Sequence, residues 1–137
     1  MFARISRVLI GLAALGLAVD AALHWILFGQ SALAVISGSN LPATLTADFK
    51  VLWIADVSTL LSLAAVFGWA AVSPSAASGP VIIVLSIIPA ALGVLIFAFG
   101  APSYAGFNML AAAVIAAIGG LLKALGQGRT AQATVAP

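Results

Sequence analysis

The stretch LAVDAALHWILFG, Leu17–Gly29, closes an apolar run that begins near Ile5, and it carries an aspartate and a histidine four residues apart. How it is read decides the fold. A signal peptide is the competing reading, but its apolar core is only about 7–15 residues long. This run continues past Asp20 to Phe28, and Val19-Asp20-Ala21 is a poor cleavage site. The stretch is therefore expected to be the end of a membrane span, with two ionisable groups inside it. Such groups are costly in hydrocarbon and need a reason to be there.

The composition agrees. Of 137 residues, 64% are hydrophobic and 6% charged, against about 25% charged in a soluble domain. Eight charged side chains cannot coat a chain of this length in water, so an integral membrane protein is expected. The net charge of +2 gives no reason to expect a nucleic-acid partner. The absence of cysteine excludes a thiol nucleophile, a dithiol redox site and a Cys-ligated metal. A single histidine excludes a bis-histidine haem within one protomer. No metal-ligand constellation is seen and no cofactor is expected.

A span needs about 20 mostly apolar residues, and four segments qualify: about 5–28, 49–72, 80–99 and 104–125. The fold expected is all-α, a four-transmembrane-helix antiparallel bundle forming one domain over residues 1–125, with a disordered tail at 126–137. Turn chemistry separates the later spans, "SPSAASGP" at 73–80 and "GAPS" at 100–103. These connections are short, so spans two, three and four should be antiparallel neighbours. In the longer first connection, Ser39-Asn40-Leu41-Pro42 resembles a helix start, with a polar cap followed by proline. "SALAVI" within that connection is left either at the interface or folded back over the bundle. Pro89 is expected to kink span three.

Four spans put both termini on one side. Arg4, Arg7, Lys123 and Arg129 flank that side, whereas Lys50 lies on the other. The positive-inside rule then places both termini in the cytoplasm of a cell with the chain in its inner membrane. In span four, Ala112, Ala116 and Gly120 recur every fourth residue, a pattern that lets helices approach closely. Packing within the bundle is the preferred reading of that face, and a homo-oligomer contact is the alternative.

The polar residues gather toward the end away from the termini. With about 1.5 Å rise per residue, Asp20 lies about 12 Å inside that end, His24 about 6 Å and Asp56 about 9 Å. Asp20 and His24 are i, i+4 and share a helix face, as do Tyr104 and Asn108. Asp20 and His24 are thus expected to hold each other, with help from spans two and four. The candidate catalytic residues are Asp20, His24 and Asp56, and the candidate ligand-binding residues are Trp25, Trp53, Tyr104 and Asn108. An aspartate beside a histidine orients the ring so that its other nitrogen can move a proton. Asp56 is the candidate acid.

Each residue also has a plainer reading. The Asp20–His24 pair can serve packing alone, Trp25, Trp53 and Tyr104 can be interface anchors, and Asn108 can be interhelical glue. Convergence in one layer favours a site. Its best fit is binding or acid–base conversion of an apolar small molecule reached from the bilayer. A proton-linked oligomeric transporter and a structural or accessory subunit are the alternatives.

Overall fold

The computed structural model describes residues 2–73, 75–99 and 103–133, with side chains to residue 128. Every described element is helical: α1 (Phe2–Leu27), a π-helical turn (Phe28–Ala32), α2 (Leu33–Gly38), α3 (Ala43–Val72), α4 (Gly79–Phe99) and α5 (Tyr104–Ala133). Among the described residues, four helices are long and apolar enough to cross a membrane. The chain is a multi-pass membrane protein.

The outer surface bears this out. Leu12, Leu15, Val84, Ile87, Val114 and Ile118 are all exposed on the flanks of the helices. A monomer in water does not sustain an apolar surface of that extent, whereas lipid tails cover it. The interior is a single cluster to which all four long helices contribute. Ile10 and Leu17 of α1, Leu60 and Phe67 of α3, Ile82 of α4 and Met109 of α5 are fully buried.

Around the bundle the helices run in the order α3, α1, α5, α4. α1 packs on α3 and α5, and α5 packs on α4. Despite their short connection, α3 and α4 barely touch, so they are not the close neighbours that loop length implied. Small residues explain the tight seams. Ala112 and Ala116 are buried, as are Gly119 and Gly120. A methyl group on Gly119 would meet Ile10 Cγ1 at 2.8 Å, and one on Gly120 would meet the Gly79 carbonyl at 2.9 Å. The small-residue face of α5 is thus used inside the bundle, against α1 and α4. Ser6 Oγ donates to the Gly119 carbonyl at 2.8 Å, which brings the start of α1 beside the middle of α5.

Several boundaries differ from expectation. The first helix does not stop at Phe28 but continues through the π turn and α2 to Gly38, so "SALAVI" extends it. No proline interrupts the chain before Pro42, and Gly29 alone does not end a helix. α3 starts at Ala43 with Pro42 at its cap, yet no side chain caps it. Ser39 instead turns back, its hydroxyl donating to the Ile36 carbonyl at 2.6 Å. Pro89 lies within α4, and Ser86 beside it donates to the Ile83 carbonyl. α5 continues to Ala133 where a disordered tail was expected from 126; alanine, arginine and glutamine favour helix, and two glycines do not offset them. The remainder of that tail, 134–137, lies outside the described residues, as do Pro74 and residues 100–102 in the two expected turns.

Candidate functional site

Asp20 lies on the face of α1 that turns inward, among Leu17, Ala21 and the core, and is 3% exposed. His24, one turn later, points not back at Asp20 but across to α3, where its Nε2 lies 3.2 Å from Asp56 Oδ2. The i, i+4 spacing put both residues on one face, as expected, but each has its partner on another helix. Asp20 meets Asn108 of α5. The Asn108 amide also donates to the Gly16 carbonyl at 3.0 Å. Asp20 Oδ2 is buried and has no hydrogen-bond partner among the described residues.

Trp53 of α3 completes the layer. Its indole N–H donates to the His24 carbonyl at 3.1 Å, and its ring sits 4.6 Å from the imidazole, tilted by 33°. Phe28 follows at 5.7 Å from Trp53. His24 is therefore held by its backbone and by its ring. Just beyond it the helix widens into the π turn. There the Leu33 N–H reaches the Phe28 carbonyl, and Ser31 Oγ donates to the Leu27 carbonyl at 2.9 Å. π turns occur frequently at functional sites, where they re-aim side chains.

Two of the expected ligand-binding residues lie elsewhere. Trp25 is 55% exposed and Tyr104 63% exposed. Trp25 follows His24 by one residue, about 100° around the helix, and lines a groove with Ile54 and Ser58 on the outer side of the α1–α3 seam. Tyr104 opens α5 a turn above Asn108 and faces outward. Both positions suit interface anchors. The structure thus brings together Asp20, His24, Trp53, Asp56 and Asn108, and leaves out Trp25 and Tyr104.

Where α3 and α4 fail to meet, a cleft of about 480 Å³ remains, lined by His24 and Asp56 on one side and by Leu92, Leu95, Ile96, Phe99 and Met109 on the other. The side chains of His24 and Asp56 are 24% and 26% exposed, so a molecule in the cleft can reach them. Asp20 lies behind them in the interior. The α4 wall was not foreseen. Leu92 to Phe99 reads as uniform hydrocarbon, with nothing to separate a cleft wall from a lipid-facing surface. No group of three or more potential metal ligands occurs among the described residues.

The arrangement has a chemical logic. An imidazole and a carboxylate at hydrogen-bond distance can pass a proton between them. Compared with known protein families, curated proteins and solved structures, the chain finds no match.

Proposed function

We propose that the protein binds an apolar small molecule in the cleft between α3 and α4, and that His24 and Asp56 act on it by acid–base chemistry. The observation that carries this reading is the pairing of a partly exposed His24–Asp56 dyad with five apolar side chains in one cleft. A ligand from the bilayer needs no aqueous route to such a place. With Nε2 turned to Asp56, Nδ1 is the ring nitrogen left to exchange a proton with a ligand. Asn108 and Trp53 act as positioning residues, the first on Asp20 and the α1 backbone, the second on His24.

Two features weigh against packing as the whole explanation. A polar group kept only for packing is expected to be satisfied, yet Asp20 Oδ2 has no partner. The dyad also opens to a cleft rather than closing a seam. A proton-linked transporter is less favoured, because below the polar layer the interior is apolar through Ala13, Leu60, Leu63 and Phe67.

We also place both termini in the cytoplasm, which puts the cleft in the outer leaflet. Reporter fusions at the C-terminus should read cytoplasmic and fusions within residues 30–47 external; a cytoplasmic signal from 30–47 reverses the orientation.

The function test is native mass spectrometry of the full chain released from mild detergent, with lipid extracts analysed for co-purifying apolar molecules. The wild type should retain one or a few neutral species that His24→Ala and Leu95→Trp lose. Identical retention in all three proteins would sink the cleft as a ligand site. Incubation of the retained compound with wild type and Asp56→Asn then separates conversion from binding.

A further inference from the structure

At the opposite end of the bundle, beside the termini, a second cavity of about 220 Å³ opens between α1, α3 and α5. Its walls include Ala3, Ser6 and Arg7 of α1, Ala70 of α3, and Leu122 and Lys123 of α5. Lys123 is half-buried, and its Nζ is enclosed with no hydrogen-bond partner among the described residues. Ser6 Oγ is already committed to the Gly119 carbonyl and does not serve it. Two cations therefore border one small cavity, with like charges brought together and no counter-charge among the described residues.

The sequence offers no remedy. The only acidic side chains are Asp20, Asp48 and Asp56. Asp20 and Asp56 belong to the polar layer at the other end, and Asp48 lies two turns beyond Asp56 toward that same end. A buried ammonium without a partner is costly. An anion between Arg7 and Lys123 removes that cost. Arg offers a planar fork to two oxygens and Lys a compact point charge, a combination suited to a tetrahedral oxyanion. A water takes about 30 Å³ of liquid volume, so the cavity has room for a phosphate group. Ala3, Ala70 and Leu122 give the rest of the wall an apolar part, beside Gly126 and the polar Gln127.

We propose that this cavity is a binding site for a phosphate group, held between Arg7 and Lys123 and closed at its inner end by the Ser6–Gly119 hydrogen bond. The phosphate has two sources, an anionic phospholipid of the surrounding leaflet or a free phosphate from solution. The site stands apart from the His24–Asp56 cleft and does not depend on its function.

The test uses the full chain in detergent, with thermal unfolding and native mass spectrometry as readouts. The probes are dioleoyl phosphatidylglycerol, dioleoyl phosphatidylcholine and inorganic phosphate. Phosphatidylglycerol should be retained and should raise the melting temperature, with phosphatidylcholine having less effect. Lys123→Met and Arg7→Gln should each weaken retention by roughly tenfold, the worth of one charge-assisted hydrogen bond. Arg4→Gln, which removes an exposed charge outside the cavity wall, should leave retention intact, and so should His24→Ala. If Lys123→Met does not fold, Arg7→Gln and Lys123→Arg carry the comparison, the second retaining the lipid. Stabilisation by inorganic phosphate equal to that by phosphatidylglycerol assigns the site to free phosphate; stabilisation by the lipid alone assigns it to the headgroup. Equal loss in Arg4→Gln and Lys123→Met reduces the effect to general surface charge and overturns the proposal, as does indifference to both phosphate probes.

Discussion

The α4–α5 seam and the α3–α4 gap are built from equally apolar helices, yet one is closed and the other open. In the seam, Gly79 and Gly120 bring two backbones together so closely that a methyl group on Gly79 would strike the Gly120 carbonyl and the Ala124 amide. Across the gap, Leu92, Leu95, Ile96 and Phe99 of α4 face a cleft with His24 and Asp56 on its far side. The hydrophobic effect does not choose between the two, because lipid tails are as apolar as leucine. Side-chain size does. Small residues permit close approach and dispersion contacts, and large ones leave a space that lipid or a ligand can fill. Closed seams therefore carry stability in this protein, and the open one is free to carry a site.

That contrast breaks first if the seam proves tolerant. Gly79→Leu should have the largest effect, at or above the upper end of the roughly 1–3 kcal/mol typical of overpacking, because backbone atoms stand in the way. Gly29→Ala is its control, since nothing lies within 4 Å of the added methyl, and its melting temperature in detergent should match the wild type. Ala116→Leu, at a fully buried position on α5, should destabilise by about 1–3 kcal/mol. Unchanged melting in both seam variants would mean that α5 does not pack as described.

Next come the polar contacts. Asn108→Ala removes the donor to the Gly16 carbonyl and should cost about 0.6 kcal/mol, and at most about 1.7, the range for interhelical hydrogen bonds in membranes. Asp20→Asn should fold and be at least as stable as the wild type, because it replaces a buried, half-satisfied carboxyl group with a neutral one of the same shape. A marked loss of stability in Asp20→Asn would instead make Asp20 a structural anchor. On the open side, Leu95→Trp enlarges a half-exposed cleft wall and should leave the melting temperature unchanged while displacing the ligand. The smallest effects are expected at Trp25→Phe and Tyr104→Phe, within about 0.5 kcal/mol as for other exposed positions, with ligand retention unaltered.

Composition and hydropathy alone were enough for four spans and for the starts of α4 and α5 within a residue. These follow from local physics. Helices must satisfy their own backbone in lipid, and their length must match the bilayer. Helix ends were less legible at residues 28 and 126, because glycine, serine and glutamine weaken a helix without ending it. Partner choice was legible only in part: groups on spans two and four were expected to contribute, but not which residue each would hold. The i, i+4 spacing suggested that Asp20 would hold His24, but a shared face does not decide which neighbour that face meets. Only tertiary packing set His24 against Asp56, Asp20 against Asn108, and Trp25 and Tyr104 outside. It did so through the close contacts of Gly79, Gly119 and Gly120, which fix the order of the helices around the bundle and leave α3 and α4 apart. That order depends on how side chains of different sizes interlock in three dimensions, and in a chain so uniformly apolar no local signal along the sequence records it.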